Sequence, residues 1–200
     1  MNVAFRWILR CLLRLVLIPV CAVAAQGPPA ETFALDPTHS KAGFEVKVLW
    51  LIGLHGRFGA VHGSVLVDRF HATATVDARI NANDLRMHSS NYAKWARSAE
   101  FFDAQHYPQI HFVSDSFPLI RMRNGGEVTG TLTIRGIVKR VRFMLQPSTC
   151  THPLNAGCAV HAEGHIRRSD FGMHSRRGTL ADKVGLQLSI LVKPTSESMP

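Results

Sequence analysis

The chain has 200 residues, of which 46% are hydrophobic and 18% are charged, and its formal net charge is +9 at pH 7. This size and composition predict one globular domain with a sizeable core, and they exclude a disordered or low-complexity chain. The lysines and arginines are scattered without a dense basic tract, so the positive charge does not predict nucleic-acid binding.

The first 25 residues have the composition of a secretory signal peptide. They contain three arginines, the apolar run CLLRLVLIPVCAVAA and no acidic residue. We therefore expect cleavage between Ala24 and Gln26, which leaves residues 26–200 as a single domain in the periplasm or secreted outside the cell. A lipid anchor at Cys21 is the alternative, although Val20 stands where a lipoprotein signal requires a small residue.

Period-two alternation of apolar and polar residues follows this segment and predicts β-strands. The stretches SKAGFEVKV (40–48) and ATATVDARI (72–80) each place apolar or small residues on one face and polar residues on the other. A weaker strand is expected between them, at residues 58–67. Strands of this kind have one buried face.

Residues 82–108 break the alternation. The stretch SSNYAKWARSAEFFD begins with candidate N-cap residues and then carries apolar residues at helical spacings, which predicts one short amphipathic helix. We expect this helix to act as a lid near the mouth of a barrel. Phe101 and Phe102 are its predicted anchors, and Lys94, Trp95 and Arg97 are the candidate mouth residues. For the two cations, a solvated helix face is an equal alternative.

Alternation resumes in the second half of the chain. We predict strands at 110–114, 128–134, 139–145, 159–167 and 184–192, with turn signals such as RNGGE between them. Cys150 and Cys158 are close in sequence and remain after the predicted cleavage. An exported chain meets an oxidising compartment, so we expect a disulfide between them. Two free thiols are the alternative.

Eight two-faced strands with little helix predict an all-β closed antiparallel barrel or a sandwich. An eight-stranded barrel is just wide enough to be filled by side chains or to hold one small ligand. Several predicted inward positions are small, among them Ala42, Ala78 and Gly130. These favour an elongated apolar space, but the alternation alone leaves a solid core equally open.

Residue patterns for catalysis or metal binding are weak. The sequence has no G-x-S-x-G elbow and no Gly-rich phosphate loop, so we expect neither an enzyme nor a cofactor. His161 and His165 are predicted to share the outer face of one strand with Glu163. A metal or haem shuttle using these histidines is a weaker alternative, because no tight zinc-ligand spacing is present.

Five stretches in order resemble the successive blocks of the YceI-like family of bacterial exported proteins. They lie between about Phe33 and Val192 and read LDPTHSKAGFEVK, GRFGAVHGSVLVD, RSAEFFDAQHYPQIHF, VTGTLTIRGIVKRVRF and AEGHIRRSDFGM. The resemblance implies an extended lipocalin-like eight-stranded barrel. It also implies a long-chain amphipathic ligand such as a polyisoprenoid or an isoprenoid quinone, and the family is not known as an enzyme class.

On this basis we expect a carrier whose lipid chain lies along the barrel axis, with transient contact with a membrane surface. The predicted interior wall consists of Phe44, Val46, Val76, Ile80, Phe112, Leu132 and Phe143. Each buried methylene contributes about 0.8 kcal/mol, so chain length should dominate the affinity. A non-catalytic stress or adhesion module with a filled barrel is the alternative. Monomer and homodimer both remain open.

Overall fold

One antiparallel sheet of twelve strands forms most of the structure, a computed structural model that describes residues 30–150, 152, 154 and 157–193. The predicted signal peptide and Cys21 lie outside these residues. Within them, no helix is both long and apolar enough to cross a membrane.

The strands and helices follow one another closely along the chain. The strands are β1 (Glu31–Ala34), β2 (Lys41–Val48), β3 (Ile52–Arg57), β4 (Val61–Asp68), β5 (Thr73–Asn81), β6 (Arg86–Met87), β7 (Gln109–Ser114), β8 (Phe117–Pro118), β9 (Gly126–Ile134), β10 (Ile137–Leu145), β11 (Val160–Arg167) and β12 (Leu180–Ile190). The helices are α1 (Ser90–Arg97), α2 (Arg121–Asn124) and two 3₁₀ turns, Ala82–Asp84 and Arg168–Phe171.

Strand pairing curls the sheet into a barrel. The order is β1-β4-β5-β7-β9-β10-β11-β12-β2-β3-β6, and β8 pairs with β5. Because β1 and β2 are consecutive segments of the chain, the pairs β1–β4 and β2–β12 bring the two sides of the sheet together. A bridge between Leu35 and Val192 joins the end of β1 to the residues after β12. The predicted closed antiparallel class is confirmed.

The number of strands is twelve, not the eight predicted from alternation. Three long strands are interrupted, so that β1 and β2, β3 and β4, and β5 and β6 are each two parts of one run. The interruption after β5 is the 3₁₀ turn Ala82–Asp84, where the Asn81 side chain accepts a hydrogen bond from the Asn83 N–H at 2.9 Å. The two-residue strand β8 adds a further short pair. Such breaks occur where turn-forming residues interrupt a strand, and the alternation of apolar and polar residues does not reveal them.

The barrel has two distinct ends. The α1 end carries α1, the β2–β3 turn and the β9–β10 turn, and the α2 end carries α2, the β4–β5 turn and the β10–β11 connection. One buried apolar cluster lies towards each end.

The predicted disulfide is confirmed in the β10–β11 connection, where Cys150 and Cys158 are bonded with their Cα atoms 6.2 Å apart. The predicted lid helix exists but is shorter than its pattern, since Ser98 already has extended backbone.

Candidate functional site

An apolar cavity of about 190 Å³ lies inside the barrel and touches both buried clusters. Its wall reaches from Met122 at the α2 end to Trp95 at the α1 end. The structure places all seven predicted wall residues on this cavity: Phe44, Val46, Val76, Ile80, Phe112, Leu132 and Phe143. Several inner-face side chains of β5 and β12 are only half-buried, which shows that side chains do not fill the interior. Whether these residues bind a lipid stays a prediction.

The cavity reaches the surface beside α1. Among the described residues that line it, Tyr92 alone is exposed, with 48% of its surface accessible. Leu54 and Met87, on strands next to α1, are half-buried lining residues at the same end. At the α2 end, Phe117 and Met122 are buried, and Leu145 and Ile190 are half-buried. The exposed Tyr92 therefore marks an opening at the α1 end.

Two glycines, each paired across neighbouring strands with a phenylalanine, leave space for the cavity. Phe44 pairs across β2–β3 with Gly56, and Phe143 pairs across β10–β11 with Gly164. A Cβ at Gly56 would lie 2.4 Å from the Phe44 ring, and one at Gly164 would lie 2.7 Å from the Phe143 ring. Because no side chain stands at either glycine, each ring can lie along the wall.

Phe101 and Phe102 connect α1 to the barrel. The Phe102 ring lies 5.7 Å from Phe44 and 5.5 Å from Phe58 between centroids. Phe101 is buried and meets Trp95 edge-on at 4.5 Å. Aromatic pairs in this range attract beyond their buried area, so α1 and the segment after it form one packed unit that covers the cavity. Their function as lid anchors for a ligand is a prediction that these contacts support.

The three candidate mouth residues have different environments. Trp95 lines the cavity, and its indole N–H donates to Glu100 at 3.0 Å. Lys94 is exposed and does not line the cavity. Arg97 does not line it either, because its guanidinium donates to the Leu85 carbonyl at 2.8 Å and so ties α1 to the turn before it. Of the three candidate mouth residues, Trp95 therefore lines the cavity and Lys94 and Arg97 do not, and a role of the two cations at the mouth stays a prediction.

Sequence reasoning missed two other cations at this end. The Arg176 guanidinium lies 5.7 Å from the centre of the Trp95 ring, a cation–π distance. Arg135 in the β9–β10 turn donates to the Phe101 carbonyl at 2.9 Å and holds the segment after α1 against the barrel. Both belong to turns, and their partners lie far away in sequence, so no local pattern could identify them.

Arg168 is a buried cation at the cavity wall. Its side chain is 2% exposed, and burial lowers its pKa. The guanidinium donates to four backbone carbonyl groups: Ala181 at 3.0 Å, Met173 and Ser175 at 2.7 Å, and Leu180 at 3.0 Å. Among the described lining residues it alone is charged. In the sequence, Arg168 stood only within the family-like stretch AEGHIRRSDFGM, which assigned it no function.

The described residues contain no group of three or more histidine, cysteine, aspartate or glutamate side chains that could hold a metal ion. His161, Glu163 and His165 are exposed on the outer face of β11, away from the cavity. The site is thus an apolar cavity that opens beside α1.

Comparison with known proteins agrees with this architecture. The family model described as "YceI-like domain" matches residues 33–192. Protein YceI of Salmonella arizonae is 30% identical over 159 residues, which are 76% of this chain and 80% of the relative. A UPF0312 protein of Pectobacterium carotovorum is 28% identical over 190 residues, covering 90% of this chain and 95% of the relative.

Solved structures show the same fold. BcnA of Burkholderia cenocepacia aligns with a TM-score of 0.65 at 23% identity, covering 78% of this chain and 98% of that one. A polyisoprenoid binding domain from Saccharophagus degradans aligns with a TM-score of 0.59 at 12% identity, covering 82% and 98%. Together with the family match over most of the chain, these likenesses lead to one identification: the chain belongs to the YceI-like family.

Proposed function

We propose that the protein is an exported, non-catalytic carrier that holds a long-chain amphipathic lipid, of the polyisoprenoid or isoprenoid quinone class, inside its barrel. The observation that supports this is the apolar cavity, which touches both core clusters and opens beside α1. No cofactor and no chemical step belong to the proposal.

The cavity is lined from Met122 at the α2 end to Trp95 at the α1 end, so an extended chain fits it better than a compact molecule. A volume of about 190 Å³ corresponds to on the order of fifteen water-sized groups, at 10–15 Å³ for each. Each methylene transferred from water contributes about 0.8 kcal/mol, so several isoprene units would outweigh any single polar contact.

The direction of the ligand follows from where polar groups lie. The α2 end of the cavity is lined by apolar residues, whereas the α1 end offers the Tyr92 hydroxyl group and the Arg176 guanidinium next to Trp95. Burying a polar head without partners costs free energy. We therefore place the head group at the α1 opening and the chain towards the α2 end.

Two further observations support the proposal. The Saccharophagus structure with the same fold is named a polyisoprenoid binding domain. The disulfide between Cys150 and Cys158 suits an oxidising compartment such as the periplasm. A barrel filled by side chains, the alternative stress or adhesion module, does not agree with the half-buried inner faces of β5 and β12.

The test begins with native mass spectrometry and organic extraction of the purified protein. Uptake of prenols of increasing chain length is then measured by titration, and affinity should rise with length until the cavity is full. The variant Ala162→Leu, on the inner face of β11, should shorten the longest chain that binds. His161→Leu, on the outer face of the same strand, is the matched control. Absence of extracted lipid together with no uptake at any length would refute the proposal.

A further inference from the structure

Four consecutive large apolar residues are exposed at the β2–β3 turn, at the α1 end of the barrel. Leu49, Trp50, Leu51 and Ile52 have 54%, 74%, 87% and 61% of their surface accessible. Single exposed apolar residues are ordinary, but a contiguous exposed group marks an interaction site. We call these four residues the hairpin tip.

The backbone of the hairpin tip makes this sequence unexpected. Leu49 and Trp50 have φ angles of 47° and 65°, and the Leu51 N–H donates to the Val48 carbonyl at 3.1 Å. A hairpin turn whose two central residues both have positive φ angles is one for which the sequence Asn-Gly is preferred. Leucine and tryptophan are strained there. Folding alone would favour small polar residues, so the bulky apolar side chains indicate a function outside the fold.

Positive charge lies next to the hairpin tip. Trp50 borders a shallow groove on the outside of β10–β12, together with Lys139, Arg167 and Lys183. Arg140 also borders it, but its guanidinium is bonded to Asp115. The acidic residues on the groove are Asp170 and Asp182. Exposed aromatic and aliphatic side chains beside cations form the combination that binds the interface of an anionic bilayer.

The two strands that carry the hairpin tip also form part of the cavity wall. Val46 on β2 and Leu54 on β3 are paired across the two strands and both line the cavity. The tip and the Tyr92 opening lie at the same end of the barrel. A surface that received the tip would therefore face the opening.

We propose that the hairpin tip docks on an anionic phospholipid bilayer, with Trp50 and Leu51 inserted at the interface and Lys139, Arg167 and Lys183 facing the lipid phosphates. Docking of this kind gives a lipid chain a short route between bilayer and cavity. In this respect the inference rests on the proposed carrier function and adds the partner surface to it.

The test is flotation of the mature protein with vesicles. Vesicles of phosphatidylcholine with 30% phosphatidylglycerol should bind the protein, and pure phosphatidylcholine vesicles should bind it much less. The double variant Trp50→Ser, Leu51→Ser should lose at least tenfold in partition to anionic vesicles. Removing one cation, as in Lys183→Gln, should cost about fivefold at low salt, the equivalent of one interfacial charge. Circular dichroism checks that each variant is folded.

The matched control is Phe70→Ser. Phe70 is 69% exposed in the β4–β5 turn at the α2 end, where its neighbour Arg69 is bonded to Glu31, so a non-specific effect of exposed aromatic residues would appear there too. Its partition should stay within twofold of the parent. Equal binding by the parent and the double variant, or no binding to anionic vesicles, would overturn the inference. It would also be overturned if the double variant only abolished self-association in light scattering, since the tip would then serve a second copy of the chain.

The same preparations separate this inference from the carrier function. Uptake of a prenol added from ethanol needs no bilayer. Normal prenol uptake without vesicle binding would refute the docking proposal alone. Vesicle binding without any prenol uptake would refute the carrier proposal alone.

Discussion

Gly56 lies directly across the β2–β3 pair from Phe44, and a Cβ added at Gly56 would stand 2.4 Å from two carbons of the Phe44 ring. The ring occupies the space where that side chain would be. Phe143 and Gly164 repeat the relationship on the other side of the barrel. The width of the cavity therefore depends on residues that have no side chain.

We expect Gly56→Ala to push the Phe44 ring into the cavity. The variant should lose roughly 1–3 kcal/mol of unfolding free energy from overpacking and should take up shorter prenols than the parent. Gly53→Ala is the control on the same strand, since its Cβ would meet only the flexible Glu45 carboxylate and the His55 ring. Denaturant unfolding and prenol titration measure the two effects. Unchanged stability and uptake in Gly56→Ala would show that the ring has another position available.

The buried guanidinium of Arg168 should be a major stabilising group. In Arg168→Met, four carbonyl groups lose their donor, and leaving buried acceptors unsatisfied is costly. We expect the unfolding free energy to fall by about 3 kcal/mol or more, measured by denaturant titration. Arg167→Met, at the exposed neighbouring position, should change it by less than about 0.5 kcal/mol. Similar values for the two variants would contradict this account.

The environment of Asp115 predicts that the stability of the protein depends on pH in acid. Hydrogen bonds from Arg140 and Thr129 lower the pKa of Asp115 from 3.8 to about 2. Because the folded-state pKa is below the unfolded one, this stabilisation is complete above pH 3.8 and is lost as pH falls towards about 2. The melting temperature of Asp115→Asn should thus lie below that of the parent at neutral pH and approach it near pH 2.

Arg140→Gln is the companion variant for this pH test. Without Arg140, the Asp115→Asn substitution should produce a smaller difference in melting temperature, because the strongest donor to the carboxylate is already gone. A difference that stays constant down to pH 2, or that does not depend on Arg140, would assign the effect to another cause.

The disulfide should stabilise the α2 end of the barrel. Cys150 and Cys158 close a short loop, for which chain entropy gives roughly 2–3 kcal/mol. The melting temperature should therefore fall when the parent is reduced with dithiothreitol. The variant Cys150→Ala, Cys158→Ala should melt lower than the oxidised parent and should not respond to the reductant. An unchanged melting temperature on reduction would show that the bond contributes nothing to stability.

Local patterns in the sequence were sufficient to predict much of this structure. Alternation along SKAGFEVKV and VTGTLTI correctly assigned the inward positions of β2 and β9, because side chains on a strand point to opposite faces in turn. Helical spacing identified α1, and the short separation of two cysteines, together with the predicted signal peptide, identified the disulfide. The order of five blocks indicated the YceI-like family, which the family match confirms.

The tertiary structure decided what local patterns leave open. That the barrel is hollow depends on Phe44 facing Gly56 and Phe143 facing Gly164 across strand pairs, and alternation along one strand contains no information about its neighbour. Arg168 bonds to carbonyl groups at the start of β12 and in the segment before it, and Arg176 meets Trp95 of α1, which is far away in sequence and close only in the folded barrel. The sequence by itself thus determined which faces are apolar and which family the chain resembles. The cavity, its opening beside α1 and the exposed hairpin tip depend on contacts between strands, and those exist only in the folded barrel.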